Sequence, residues 1–208
     1  MATAVRLSTV ALFSVGDFGH RVNDVVASAL PASHNVPTSE LDEAFAGRPD
    51  IVVAALWRAD HAVCERADRL AHDTGVAWLP VVQDHAVLRV GPLVLPGAGP
   101  CFRCFDRRKQ QHDAHGNSSS VVRAAYERDP KLGPAGHLPF HVRVAGGLAV
   151  DQLQRPAAGH VVTVRLPDLS LSRDRVVSEH ACRRCRETPP RLDVRALLPE
   201  RFTKRNHG

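Results

Sequence analysis

Two kinds of apolar pattern take turns along the first hundred residues of the chain. Short runs without polar residues are typical of strands buried on both faces of a parallel sheet. Apolar residues three and four positions apart indicate helices with one buried face. The predicted strands are residues 9–15, 34–36, 50–56 and 76–82, with one or two more within 85–95, and the predicted helices are residues 18–30, 39–46 and 60–73.

Capping signals support these helices. Pro31 ends the first helix, and Ser39 is placed to cap the short second one. Asp60 is placed to cap the third helix, and Gly75 follows it at the position of a left-handed C-terminal cap. Strands that alternate with helices at this spacing require right-handed crossovers. The sequence therefore predicts an α/β fold with a Rossmann-like, doubly wound and mainly parallel sheet.

The pattern changes after residue 96. The second half is predicted to hold a short helix at 101–111, a mobile loop at 111–120, a weak helix at 121–129, a better helix at 141–153, and strands at 160–166 and 169–177. Pro167-Asp168 joins the two strands as a hairpin. Gly146 and Gly147 interrupt the better helix, and glycine there would let a neighbouring element pack closely.

These elements are expected to form a single domain over residues 1–208. Its parts are an α/β core at 7–100, a helical and hairpin segment at 101–188 and a basic tail at 189–208. A chain of this length, with 44% hydrophobic residues, can bury a core without disulfides.

Charge and hydropathy exclude several classes of protein. The net charge of +5 comes from 24 arginines against 3 lysines, a bias typical of GC-rich codons, so it does not indicate nucleic acid binding. The apolar run at 7–15 leads into a charged segment without a signal-peptide cleavage site. No run approaches the roughly 18 apolar residues of a membrane span. We therefore expect a cytoplasmic protein with reduced thiols.

Four of the five cysteines form two C-x-x-C pairs. Cys101 and Cys104 are separated from Cys182 and Cys185 by 77 residues. Two-residue spacing lets both thiolates of a pair reach one ion at about 2.3 Å, and two pairs complete a tetrahedral site with no open position. The sequence therefore predicts a structural zinc ion on these four cysteines, which would clip the C-terminal hairpin to the sheet.

Other interpretations of these cysteines remain open at this point. One C-x-x-C pair could be a thioredoxin-like redox pair, and four cysteines could hold a 4Fe–4S cluster. A mixed site could use His112 and His115 with one pair. Cys64 lies within a helical apolar face and is predicted to be a small buried side chain. The arginines close to the pairs would offset the charge of four thiolates: Arg103, Arg183, Arg184 and Arg186.

A glycine turn follows the first predicted strand, where nucleotide-binding folds hold phosphates. Only Gly16 and Gly19 are present where three glycines are usual, and Asp17 would repel a phosphate. Glu40 is the nearest candidate for a ribose ligand, but no clear strand precedes it. His61, His137 and His141 belong to no recognisable catalytic set. The sequence thus predicts neither a nucleophile nor a working nucleotide site.

One region resembles a known family. The segments at 89–97, 100–105 and 107–108, RVGPLVLPG, PCFRCF and RR, resemble the zinc-knuckle region of the ThiF-like partner proteins of azole peptide biosynthesis. These proteins, also called leader peptide-binding proteins, assist a YcaO-type cyclodehydratase that acts on ribosomally made precursor peptides. The resemblance covers roughly residues 7–110 and the second cysteine pair.

The resemblance implies a ThiF fold, related to that of ubiquitin-activating enzymes, with zinc on the four cysteines already named. It also implies that the YcaO partner, and not this chain, uses ATP. Asp60 occupies the place of a magnesium-binding aspartate of the active enzymes, but its Trp57-Arg58-Ala59 context differs from theirs. We expect no N-terminal winged-helix domain for binding leader peptides.

The leading functional hypothesis is a non-catalytic partner that helps a YcaO-type cyclodehydratase form azolines on a precursor peptide. The alternative is a ThiF-type enzyme that adenylates a peptide carboxyl terminus, for which Arg21 or Arg66 is the candidate phosphate ligand. A third class, a NAD-binding domain, fits a four-cysteine site poorly. The expected partners are the cyclodehydratase and the precursor peptide, and a homodimer is also compatible with the sequence.

Overall fold

The computed structural model describes residues 7–30, 35–113, 116–180 and 182–185. Predictions that fall on the remaining residues, such as the tail at 189–208, lie outside the described part of the chain. Seven strands are described: β1 (Val10–Val15), β2 (Asn35–Thr38), β3 (Ile51–Leu56), β4 (Ala77–Asp84), β5 (Val87–Val90), β6 (His160–Arg165) and β7 (Leu171–Arg175). Six helices are described: α1 (Gly16–Ala29), α2 (Leu41–Ala46), α3 (His61–Thr74), α4 (Phe102–Gln111), α5 (Gly116–Arg128) and α6 (Pro139–Gln154).

The strands form one sheet in the order β2-β1-β3-β4-β5-β6-β7. The first four strands pair in parallel, as their apolar sequences and intervening helices predict. From β4 onward the pairing is antiparallel, and β5, β6 and β7 extend the sheet as a meander. The predicted α/β fold is thus present, and an antiparallel half is joined to its parallel half.

Helices cover both faces of the sheet and divide the core in two. On one face, α1 and α6 pack against the sheet around Val22, Val26 and Ala149. On the other, α2, α3 and α4 pack around Phe45, Trp78 and other buried residues. The four cysteines of the two pairs form a third, smaller cluster at the end of that second layer.

Two glycines allow the helices to approach closely. A Cβ at Gly19 of α1 would lie 2.3 Å from the Ala55 carbonyl oxygen of β3, so only glycine allows this contact. A Cβ at Gly146 of α6 would lie 2.5 Å from the Val25 side chain of α1. The predicted role of glycine in the interrupted helix is confirmed for Gly146, whereas Gly147 faces open space.

The predicted caps of the third helix are confirmed. The Asp60 carboxylate accepts a hydrogen bond from Val63 N at 3.0 Å, and Gly75 adopts φ +76° as the left-handed C-terminal cap. The predicted cap at Ser39 is wrong, because α2 begins one residue later, after Glu40. The Thr38 hydroxyl accepts from Glu40 N and donates to Glu40 O, which holds residues 38–40 as a turn.

The region predicted as a mobile loop contains part of a helix. The loop was expected to extend to Ser120, but α5 already begins at Gly116. Tyr126 of α5 is buried, and its hydroxyl lies 2.7 Å from His85 Nε2. Such tertiary contacts stabilise a helix that has little intrinsic propensity to form. Sequence periodicity alone could not identify them.

Candidate metal centre

The first cysteine pair lies at the start of α4. Cys101 is the N-cap residue, and Cys104 lies one turn into the helix, so both sulfurs are on the same side at 3.6 Å from each other. Asp68 of α3 fixes this end of the helix, because its carboxylate accepts a hydrogen bond from Phe102 N at 2.9 Å. The helix start thus presents two thiols in a defined orientation.

The second pair reaches the first across the long gap in sequence. Cys101 Sγ lies 3.7 Å from Cys182 Sγ, and Cys104 Sγ lies 3.8 Å from Cys185 Sγ. All four sulfurs lie within 4.8 Å of one another, and all four side chains are buried or nearly so. No other group of three or more potential ligands is found within the described residues. His112, the described histidine of the mixed-site interpretation, is not part of this group.

The spacing of the sulfurs fits one tetrahedral ion. An ion at about 2.3 Å from four thiolates places the sulfurs about 3.8 Å apart, and the closest contacts here are 3.6–3.8 Å. Disulfides would need about 2.05 Å, and all the cysteines are free thiols. An iron–sulfur cluster would have to fit between its ligands and would push the sulfurs further apart. The four sulfurs therefore fit a single tetrahedral ion that has no open coordination position.

Two hydrogen bonds reach the sulfur of Cys104. The Cys101 thiol and the backbone N–H of Glu179, at 3.3 Å, both donate to its sulfur. These donors lower the pKa of Cys104 below its usual value. Conversely, the proton shared with Cys104 and the burial raise the pKa of Cys101. A metal ion would replace the proton that holds the two sulfurs together.

Ion pairs hold the second pair of cysteines against α3 and α4. Arg184 donates to Asp68 at 2.8 Å and to Glu65 at 2.5 Å. Arg107 of α4 donates to both carboxylate oxygens of Glu179 at 2.7–2.8 Å. The Arg184 guanidinium is engaged by these carboxylates, and its role in offsetting the thiolate charge stays a prediction. Arg103 and Arg183 are exposed, and Arg186 lies outside the described residues.

Asp68 is a structural residue of the candidate metal centre that the motif analysis did not identify. Its side chain is completely buried and accepts hydrogen bonds from three groups: Phe102 N, Trp78 Nε1 and Arg184 Nη1. One sequence signal could have identified it, because Asp68 interrupts the apolar face that Cys64 and Ala71 share on α3. A carboxylate at such a position needs buried donors.

The glycine turn leads directly into helix α1. Helix α1 begins at Gly16 itself, and Asp17 lies in its first turn. The Trp57 ring packs against both Gly16 and Gly133. A Cβ on Gly16 would lie 2.5 Å from the ring, and one on Gly133 would lie 2.3 Å from it. Each of these glycines therefore makes room for the indole. A cleft of about 580 Å³ lies beside the turn, and Asp17, Phe18 and Trp57 help to line it.

Arg58, the next residue in the chain, binds the backbone at the end of α5. Its buried guanidinium donates to the carbonyl oxygens of Tyr126, Asp129 and Leu132 at 3.1, 3.0 and 2.5 Å. It also lies 4.8 Å from the centre of the Tyr126 ring. The segment between α5 and α6 is thereby fixed over the carboxyl ends of the parallel strands.

The residues expected of an adenylating enzyme have structural partners here. Arg21 pairs with Asp17, and Arg66 pairs with Asp42. Asp60 caps α3, with one oxygen 3.7 Å from Arg58 Nη2. Glu40 precedes α2 and makes no side-chain cap.

The remaining candidates are also distributed through the fold. His61 Nδ1 lies 3.5 Å from Asp106, His137 stacks edge-on against Phe18, and His141 accepts from Leu138 N. These three histidines do not meet at one site. Cys64 is buried as predicted, and burial raises the pKa of its thiol.

Comparison with known proteins identifies the fold. The structure is similar to the heterocyclase TruD, with a TM-score of 0.63 and 16% identity over 86% of this chain and 27% of that chain. It is also similar to a chain of the E. coli microcin synthetase McbBCD complex, with a TM-score of 0.62 and 14% identity over 88% of this chain and 71% of that chain. The chain shares the fold of heterocyclase and microcin synthetase components. At these identities the likeness is one of fold.

A third solved structure has a similar fold. E. coli MccB, crystallised with MccA, gives a TM-score of 0.58 and 12% identity over 87% of this chain and 68% of that chain. This chain therefore corresponds to about a quarter of the length of TruD and to larger parts of the other two. No family model matches the sequence, and no curated protein matches it. Within the described residues, no helix has both the length and the apolar character needed to cross a bilayer.

Proposed function

We propose that this chain is a non-catalytic partner of a YcaO-type cyclodehydratase and assists azoline formation on a ribosomally made precursor peptide. The observation that carries the proposal is the packing of protein side chains at the glycine turn. Trp57 packs against the glycine turn, and Arg58 donates hydrogen bonds to three backbone carbonyl groups in and after the last turn of α5. Phosphate binding at a turn needs free N–H groups and space for the anion. A glycine turn packed against an indole, in the fold of a synthetase component, favours an accessory role with ATP used by the partner.

The proposal includes one structural zinc ion on Cys101, Cys104, Cys182 and Cys185. The geometric support is the tetrahedral spacing of four buried sulfurs, which thiolate-rich zinc sites require. Such an ion would cross-link the second pair of cysteines to α4 and would offer no position for water. Its chemistry would therefore be confined to holding the fold together, in a compartment that keeps thiols reduced.

A second candidate is the adenylating enzyme of the ThiF type. It is favoured by a cleft of about 580 Å³ between α1 and α6, close to the glycine turn, which Arg21, His137 and Arg143 help to line. Exchange of pyrophosphate into ATP separates the two candidates. The accessory role predicts no exchange with or without peptide. Peptide-dependent exchange that Asp60→Ala abolishes would establish the adenylating enzyme instead.

The accessory role itself is tested by co-purification and by activity. The chain is expected to co-purify with the YcaO-type enzyme and to accelerate loss of water from a Cys/Ser/Thr-rich precursor peptide, measured by mass. A complex that forms without any change in rate would not support the proposal.

A further inference from the structure

Strand β7 is a fully exposed edge of the sheet. It pairs with β6 on one side, and it is the last strand of the sheet among the described residues. All five of its residues are exposed to solvent. An edge of this kind presents unpaired N–H and C=O groups to which an extended chain can add as a further strand.

The backbone hydrogen bonds show which residues of β7 face outward. Arg165 N donates to Ser170 O, and Val176 N donates to Gly159 O, both at 2.9 Å. Hydrogen-bonded and non-hydrogen-bonded pairs alternate along an antiparallel ladder. Between Ser170 and Val176, every second residue of β7 is therefore hydrogen-bonded to β6, and these residues are Ser172 and Asp174. The backbone groups of Leu171, Arg173 and Arg175 point away from the sheet.

The side chains of these three outward residues lie on the face covered by α6. Arg173 pairs with Asp151 of α6 at 3.2 Å, and the same carboxylate also pairs with Arg155. Arg175 has no ion pair with any described residue. The Asp151 carboxylate thus pairs with two guanidinium groups, and Arg175 adds a third positive charge on this face of β7, which leaves an excess of positive charge beside the outward backbone groups.

This charge determines the kind of chain that can add. Antiparallel pairing of two copies of β7 would bring their arginines together, and like charges directly opposite each other are destabilising. An incoming strand with acidic residues on the α6 face would pair with Arg173 and Arg175. Leu171 and Val177, 49% and 62% exposed, provide apolar contacts near the two ends.

We propose that β7 is the docking edge for an extended acidic segment of the peptide that the synthetase modifies. The assignment of the segment to that peptide rests on the proposed function. The proposed strand pairing itself rests on two observations. The N–H and C=O groups of Leu171, Arg173 and Arg175 point outward, and arginines outnumber carboxylates on the α6 face of this edge. The segment would add as an eighth strand, with its acidic side chains on the α6 face.

The test uses amide hydrogen exchange of the full chain, measured by NMR with an acetylated and amidated (Glu-Val)₄ peptide as the probe. At ten times the dissociation constant, exchange at Leu171, Arg173 and Arg175 is expected to slow about tenfold. The amides of Ser172 and Asp174, already bonded to β6, are expected to change little. A (Lys-Val)₄ peptide is expected to have no effect. Equal effects of the two peptides, or no slowing at the three outward amides, would overturn the proposal.

Matched variants at Arg175 separate the backbone from the side chain. Arg175→Ala removes the charge and keeps the N–H, whereas Arg175→Pro removes both without breaking a bond to β6. The proline variant is expected to bind the acidic probe at least tenfold more weakly than the alanine variant. Unchanged exchange at Ser172 and Asp174 will show that the hairpin is intact. Equal affinities of the two variants would overturn strand addition.

Two further outcomes are informative. If the outward amides are already protected in the chain alone, the edge is covered by the protein or by a second copy, and the proposal is wrong. The proposed function can fail separately. An acidic probe that binds β7, while this chain does not affect cyclodehydration, would overturn the accessory role and its substrate but leave the docking edge in place.

Discussion

Arg184 and Asp68 are in contact at 2.8 Å although 115 residues separate them in the sequence. Arg184 stands between the two cysteines of the second pair, and Asp68 is buried in α3 beneath the first pair. The same carboxylate accepts from Phe102 N, which directly follows Cys101. One carboxylate therefore orients both halves of the candidate metal centre.

We predict that Asp68→Ala destabilises the protein strongly. Removing the carboxylate leaves the Arg184 guanidinium and the Phe102 N–H without their buried acceptor, and breaking a buried pair in this way costs about 3–5 kcal/mol. Urea unfolding will measure the loss in the free energy of unfolding. Asp73→Ala, an exposed change on the same helix, is the control and should stay within about 0.5 kcal/mol. Similar losses in the two variants would contradict the role assigned to Asp68.

The ion pair between Glu65 and Arg184 predicts a dependence of stability on pH. The hydrogen bond from Arg184 lowers the pKa of Glu65 below its usual value of 4.5. A carboxyl group whose pKa is lower in the folded state stabilises the protein above its unfolded pKa, and this contribution is lost as pH falls through the folded pKa. Wild type should therefore be more stable than Glu65→Gln at pH 7, and the difference should shrink below about pH 4.5. A difference that does not change with pH would contradict this assignment.

We predict one zinc ion per chain, bound by the two cysteine pairs. Cys182→Ser is expected to lose the metal and to lower the melting temperature, because binding to a structural site contributes free energy to folding. Metal analysis and thermal unfolding will measure the two effects. Cys64→Ala is the matched control, since Cys64 is buried in the core away from the four-sulfur cluster, and it should retain the metal. Metal-free protein with unchanged melting would overturn the zinc assignment.

Substitutions at Asp60 test the hydrogen bond that caps α3. As the N-cap of α3 it accepts from Val63 N, so Asp60→Ala is expected to cost about 1 kcal/mol of stability. Asp60→Ser and Asp60→Asn keep a capping oxygen and should recover most of that loss. Chemical denaturation of the three variants will test the ranking. Equal stability of all three would show that the cap contributes little.

Elements with local signals were predicted well from the sequence. The apolar run of β3, the cap at Asp60 and the glycine at 75 each depend on neighbouring residues, and all agree with the structure. The cysteine pairs were found by their spacing, and the structure brings the four sulfurs together. Local pattern therefore predicted the parallel half of the sheet and the members of the sulfur cluster.

The features that were missed depend on contacts between distant residues. The antiparallel pairing of β5 with β6 joins strands about 70 residues apart. Hydrophobic periodicity indicates a strand but not the partner with which it pairs. Trp57 and Arg58 were noted only as an unusual context for Asp60. Their roles require the glycine at 133 and the carbonyl groups that follow α5, which the fold alone brings near. The packing of Trp57 against the glycine turn has no local signal in the sequence.

The central claim is that this chain assists a cyclodehydratase, and the rate of that reaction tests it most directly. The YcaO-type enzyme, ATP and the precursor peptide are held constant while this chain is added in increasing amounts, and loss of water is followed by mass. We predict a rate that rises and saturates with this chain, and a smaller rise with metal-free Cys182→Ser. An identical rate at every concentration, well above any plausible affinity, would contradict the account.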